Sequence, residues 1–133
     1  MKLQILRVIL VVIPLVLGAT TLSGCPYSEY HSSNFDGSKF GDEESYTALY
    51  KTLDQTTISN TINMNGYSCL SVTIVNEKGS IDYTITDSVG NVIYTQVGVT
   101  NENLNIPIDY PGFIKIDVTG NNAKGKFRFQ RMQ

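Results

Sequence analysis

The chain has 133 residues, 12 acidic against 10 basic side chains, a formal charge of −2 and two cysteines. That length bounds it to one modest domain once any targeting segment is removed, and two cysteines exclude a disulfide-dense scaffold. An acid-leaning balance argues against a nucleic-acid partner, and a single histidine, His31, leaves little room for histidine-paired catalysis.

The first segment reads as a leader. Met1 to Arg7 carries Lys2 and Arg7 and no acid, Val8 to Leu17 is apolar apart from Pro14, and Gly18 to Gly24 is small and weakly polar. These are the three regions of a signal peptide in order. A helix crossing the hydrocarbon core takes roughly 20 apolar residues, so the run is short for a permanent anchor. An uncleaved signal anchor extended through Thr20, Thr21 and Ser23 is the competing reading.

Leu22-Ser23-Gly24-Cys25 closes that leader and resembles the lipobox of bacterial lipoproteins, with a branched apolar residue, two small residues and then cysteine. The resemblance implies cleavage after Gly24, with the small Ser23 and Gly24 fitting the signal peptidase. It also implies a diacylglycerol thioether, with palmitate-type chains, on Cys25. Burial contributes about 0.8 kcal/mol per CH₂, so one acyl chain binds marginally while two hold a protein on the membrane. The expected address is the extracytoplasmic face of a bacterial cell membrane. The alternative, an ordinary secretory signal, favours A-x-A-like cleavage ends, and none is present.

Loss of the leader leaves one thiol, Cys69, and so no intramolecular disulfide. Within SCLSVTIV the alternation makes Cys69 a small apolar filler; a reactive thiol wants nearby cations or a helix N-terminus. Loss of Lys2 and Arg7 also leaves eight cations against twelve acids, a formal charge of −4.

Residues 25 to 45 form the next segment. PYSEYHSSNFDGSKFGDEES, from Pro26 to Ser45, lacks apolar periodicity and predicts a flexible tether with a span of roughly 25 Å. Tyr27, Tyr30, Phe35 and Phe40 are unusual in a spacer and suit docking on the membrane interface or on the domain. Asp42-Glu43-Glu44 offers oxygen ligands for calcium, against the commoner meaning of a solvated hinge. His31 lies in this segment as a solvated side chain.

Residues 46 to 133 change to period two. In GSIDYTIT, Ile81, Tyr83 and Ile85 alternate with Asp82, Thr84 and Thr86, and in FIKIDVTG, Ile114, Ile116 and Val118 alternate with Lys115, Asp117 and Thr119. CLSVTIV and KFRFQ repeat the idea. The pattern predicts strands near 47–53, 57–64, 68–76, 80–87, 91–98, 102–108, 112–119 and 125–131. Asn76 to Gly79, Asp87 to Asn91, Pro111-Gly112 and Gly120 to Asn122 separate them as turns. The class is therefore all-β, an antiparallel sandwich of about eight strands with jelly-roll or Greek-key connections. A closed barrel would want longer strands and more consistent inward residues.

From Leu70 to Phe129, GSIDYTITDSVGNVIYT and PGFIKIDVTGNNAKGKFRF resemble the small β-sandwiches of the bacterial pre-peptidase C-terminal type and many small lipoproteins. The shared features are turn glycines and alternating apolar residues, so the resemblance implies a fold. Members that bind calcium use linker and loop acids; only Asp42, Glu43 and Glu44 correspond, at a different spacing, so no binding residue is carried over.

No phosphate loop, H-E-x-x-H, C-x-x-C or G-x-S-x-G is present, and no catalytic, cofactor-binding or metal residue is assigned. Asp82, Asp87 and Asp117 fall on polar strand faces or turns. Tyr67, Tyr94 and Tyr110 lie near strand ends, where packing with the hydroxyl at the wet edge competes with ligand contact. The expected function is binding or assembly at the cell envelope, with an envelope protein or glycan as partner. The alternatives are a small envelope hydrolase using Asp82 and Asp117 as paired acids, or a calcium- or glycan-binding module.

Overall fold

The computed structural model describes residues 27–133. The leader and the motif Leu22, Ser23, Gly24 and Cys25 lie outside the described residues. Eight strands follow in chain order: β1 (Tyr27–His31), β2 (Phe35–Gly41), β3 (Ser45–Leu53), β4 (Thr57–Asn63), β5 (Cys69–Thr86), β6 (Val92–Val99), β7 (Asn101–Pro107) and β8 (Phe113–Met132). Every pairing is antiparallel.

Two strands organise the rest. β5 and β8 are 18 and 20 residues long and pair from Cys69↔Met132 to Thr86↔Lys115. The first half of β5 and the last half of β8 lie between β7 and β3, with β2 and β1 beyond β3. Their other halves lie between β6 and β4. The result is two sheets that share two strands and pack face to face as a sandwich. Because β8 returns from the far end of the sequence to sit beside β3, the order of neighbours is non-sequential, as in Greek-key connections.

Side-chain alternation decides which face each strand buries. Ile81, Tyr83, Ile85, Ile114, Ile116 and Val118 of one sheet meet Leu70, Val72, Ile74, Phe127 and Phe129 of the other, all nearly inaccessible. The Tyr83 ring stands edge-on to Phe129 at 5.2 Å between centroids, and Tyr46 stands edge-on to Phe127 at 5.0 Å. The core is continuous across the two sheets.

Two differences from the sequence reading have physical causes. Asn76 to Gly79 and Gly120 to Asn122, read as turns between separate strands, are instead the corners at which β5 and β8 bend together without ceasing to pair. The register shifts between Asn76 and Lys78 and again between Lys78 and Ser80, and such bulges sharpen bend and twist. Close approach fixes glycine there: a Cβ on Gly79, whose φ is 68°, would lie 2.1 Å from the Asn122 carbonyl oxygen. A Cβ on Gly120 would lie 2.1 Å from that of Leu53.

The second difference concerns the segment read as a flexible tether, residues 25–45. From Tyr27 onward it forms β1 and β2, so the sheet begins there and not at residue 46. FDGSKFG has no period-two apolar pattern because strands near a sheet edge are held by backbone pairing to β3 and one anchor. That anchor is Phe35, 5% exposed and opposite Leu53. The carboxylate of Asp42 accepts from the backbone N–H groups of Glu44 (2.8 Å) and Ser45 (2.9 Å), closing the β2–β3 turn.

The β5–β6 hairpin was legible as Asp87 to Asn91. Asp87 Oδ1 accepts from the N–H groups of Asn91 at 2.9 Å and Val89 at 3.0 Å, and these bonds hold its carboxyl below the ordinary value of 3.8. A carboxylate with a depressed folded-state pKa contributes stability above its unfolded pKa and loses it as pH falls through the folded one. Thermal melts are therefore expected to show Asp87→Asn costing stability at pH 7, with the difference from wild type shrinking below about pH 4. A difference that does not change with pH would refute this account of the turn.

Candidate functional site

The outer face of the six-stranded half, β1-β2-β3-β8-β5-β7, is built by the same alternation that fills the core. When Phe127 and Phe129 point inward, Lys124, Lys126 and Arg128 point outward from β8 at steps of about 7 Å. One row crosses all six strands in register: Glu29, Ser38, Leu49, Lys126, Val75 and Asn101. Within it Leu49 and Val75 are 61% and 41% exposed and flank Lys126.

Leu49, Lys51, Val75, Glu77, Lys124 and Lys126 line a groove of about 750 Å³ toward the bend. Lys78 is the register partner of Lys124 across the corner. Like charges directly opposite each other on paired strands are destabilising. Among the described residues, no carboxylate lies within ion-pairing distance of Lys51, Lys78, Lys124, Lys126 or Arg128. The carboxylates of Glu29, Asp36 and Glu77 also line the groove, and Asp36 is taken by His31 at 2.9 Å. Five of the eight cations that follow Cys25 thus gather on this face and its corner.

The corner is held by a buried polar group that the sequence reading took for a turn residue. Asn76 Oδ1 accepts from the Tyr50 hydroxyl at 2.6 Å, its Nδ2 donates to the Val99 carbonyl at 3.1 Å, and its backbone N–H donates to the Thr100 carbonyl at 2.9 Å. The side chain thereby ties β5 to β3 and to the end of β6, and the backbone N–H adds the β6–β7 connection. Burial pushes the Tyr50 hydroxyl well above the ordinary tyrosine range, so it stays a donor.

The opposite end has another character. Both ends of β5 and both ends of β8 meet there, as Cys69↔Met132 and Thr86↔Lys115 show. The β2–β3, β4–β5, β5–β6 and β7–β8 connections close it, and they carry Asp42, Glu43, Glu44, Asp87 and Asp109. β1 starts near this end, with Tyr27 opposite Phe40 beside the β2–β3 turn, and runs toward the bend. At this end acids outnumber the cations Lys115 and Arg131, whereas at the bend Lys51, Lys78, Lys124 and Lys126 stand beside Asp36, Asp54 and Glu77.

The residues singled out from sequence are mostly structural. Asp82 and Asp117 share the outer face of the other half, but each has its own partner. Asp82 Oδ1 accepts from the Gly98 N–H at 2.8 Å, while Asp117 accepts from the Ser59 hydroxyl and lies 3.6 Å from Lys115 Nζ. Tyr67 is half-buried beneath the Arg131 guanidinium at 4.1 Å, and the half-buried Tyr94 accepts from Gln96 Nε2 at 2.8 Å. The Tyr110 hydroxyl bonds to Ser88 Oγ. Asp42, Glu43 and Glu44 separate to a turn cap, to Asn63 Nδ2 at 3.4 Å and toward Arg131 at 3.9 Å. No set of three metal-ligating side chains is gathered among the described residues. Cys69 is half-buried at the start of β5. The lysine face was missed, although the signal was present as alternate cations in KGKFR.

No family model and no curated protein matches the sequence. Among solved structures, the chain is similar to the pre-peptidase C-terminal domain of a collagenase from Bacillus anthracis, with a TM-score of 0.50 and 14% identity over 68% of this chain and 90% of that one. It is also similar to the module TmCBM61 in complex with beta-1,4-galactotriose, with a TM-score of 0.36 and 22% identity over 71% of this chain and 66% of that one. At these identities the first likeness supports the sandwich fold alone.

Proposed function

We propose that this protein is a lipid-anchored module on the extracytoplasmic face of a bacterial membrane that acts by binding or assembly, without turnover. The single observation that carries a binding role is the open six-stranded face, where exposed Leu49 and Val75 lie among cations that, among the described residues, have no carboxylate within ion-pairing distance. A surface of that kind suits an incoming ligand better than bulk water alone. The carboxylates considered for hydrolysis, Asp82 and Asp117, are occupied by Gly98, Ser59 and Lys115, which favours a structural role for both.

The anchor rests on the leader and on Leu22-Ser23-Gly24-Cys25. Cys25 precedes Tyr27 by two residues, which span at most about 7 Å. Lipid on that sulfur would keep the first strand close to the bilayer. In cells, Cys25→Ala is expected to abolish incorporation of labelled fatty acid and shift the protein out of the stably anchored membrane fraction. Intact-mass measurement of the wild type should give a chain starting at Cys25 plus its acyl groups. An unacylated wild-type chain, or one retaining the leader, would sink the anchoring proposal.

A further inference from the structure

We infer that the lysine groove at the β5–β8 bend binds an extended envelope polymer carrying one anion per repeat, such as a polyol phosphate, and that it does so on the side facing away from the lipid. This rests on the binding role just proposed and names its ligand class, and its direction rests on the proposed anchor at Cys25.

Three observations converge on that class. Lys124, Lys126 and Arg128 lie on one strand at alternate positions, so their charges follow a line in steps of about 7 Å. A line of regularly spaced cations fits a linear polyanion better than a compact one, because successive repeats meet successive charges. Lys51 widens the stripe from β3, and Lys78 faces Lys124 across the corner. These like charges raise the energy of the free protein, and an anionic ligand relieves that cost on binding. Leu49 and Val75, between the cations, offer apolar contact to the carbon backbone of a polyol or sugar.

Direction decides between two sources of anions. A lipid headgroup and a phosphate-bearing polymer share their chemistry. The first strand starts near the end that carries Asp42, Glu43, Glu44, Asp87 and Asp109, with Tyr27 in the same register row as Arg128; Lys126 stands one outward step further on, and Lys124, Lys51 and Lys78 lie toward the bend. A chain held close to the bilayer near Tyr27 presents the connections that carry those acids to the headgroups, and Lys126, Lys124, Lys51 and Lys78 lie beyond the level of Tyr27 toward the envelope.

The test uses full-length protein in neutral detergent, with poly(glycerol phosphate) as probe and neutral dextran as control. Wild type is expected to bind poly(glycerol phosphate) and not dextran. Its affinity should fall roughly twenty- to fifty-fold between about 50 and 200 mM salt, as expected when three or four counterions are released from a single-stranded polyanion. The double variant Lys124→Gln/Lys126→Gln should bind about ten-fold more weakly with a shallower salt slope, while Lys124→Arg/Lys126→Arg keeps binding. Lys115→Gln, which removes one charge from the other sheet, should bind as wild type. Equal loss in that control, retained binding in the double glutamine variant, or no binding by wild type would overturn the inference.

A second arm reconstitutes the protein into phosphatidylcholine vesicles with and without phosphatidylglycerol. Polymer capture should persist in both, and the lysine variants should associate with both as wild type does. If those variants instead lose only the preference for phosphatidylglycerol, the groove serves headgroups and the inference fails. A single-stranded oligonucleotide that outcompetes poly(glycerol phosphate) would likewise overturn it. The detergent assay does not depend on acylation, so failure of the anchor leaves the groove result readable, and the reverse holds as well.

Discussion

Truncation of Phe129 to alanine is expected to cost about 3–5 kcal/mol, the usual range for a buried phenylalanine. Phe129 is fully buried and joins the two sheets: its ring meets Tyr83 of one half at 5.2 Å, and Phe127 and Tyr46 of its own half at 5.4 and 6.4 Å. Partial collapse is hindered because the surrounding rings are themselves held by both sheets. A domain of this size has about 5–15 kcal/mol to lose, so the variant should melt tens of degrees lower or fail to fold at 37 °C. Phe129→Leu should cost less, since more of the volume is kept. Arg128→Ala, one residue away on the solvent face, should stay within about 0.5 kcal/mol. Urea and thermal melts of the three variants test the alternation directly, and comparable losses for Phe129→Ala and Arg128→Ala would refute it.

The second large effect is expected at Asn76. Replacement by leucine keeps the approximate volume but leaves the Tyr50 hydroxyl without its acceptor and removes the amide donor to the Val99 carbonyl. One buried hydroxyl stranded in this way, together with the lost amide bond, should cost about 2–4 kcal/mol. Much of that cost is desolvation without compensation, and removing the stranded hydroxyl should recover some of it. Tyr50→Phe in the Asn76→Leu background is thus expected to cost less than Tyr50→Phe alone, with a coupling energy of about 1–2 kcal/mol. Strict additivity in a denaturation double-mutant cycle would show that the Tyr50–Asn76 bond contributes nothing to the corner. Because Asn76 sits just before Lys78, the same variant would loosen the register that sets Lys78 opposite Lys124. Binding of poly(glycerol phosphate) by any folded Asn76→Leu protein should weaken less than in the lysine variants, which remove the charges themselves.

The cation face and the buried asparagine arise from one feature, the shared bend of β5 and β8. Bending long strands lets two sheets form from one pair, and it concentrates both polar bonding and charge at the corner. A polar side chain inside the bend supplies an acceptor to the buried Tyr50 hydroxyl and a donor to the Val99 carbonyl. On the outside, the glycines of the corner allow backbones to approach so closely that Lys78 and Lys124 become register partners.

By itself the sequence determined the class, the inward face of each core strand and the Asp87 hairpin, because side-chain alternation and turn chemistry act over a few residues and leave a local trace. Only the tertiary structure decided that four of the expected segments are two bent strands, that Tyr27 to Gly41 belongs to the sheet, and that Asn76 is buried. Each of these depends on a partner far along the chain: β3 for β2, β8 for the β5 corner, and Tyr50 and Val99 for the asparagine. The lysine face stands between the two cases. Its spacing along β8 is local and readable, whereas its meeting with Lys51, Lys78 and the exposed Leu49 and Val75 arises when strands distant in sequence pair in register.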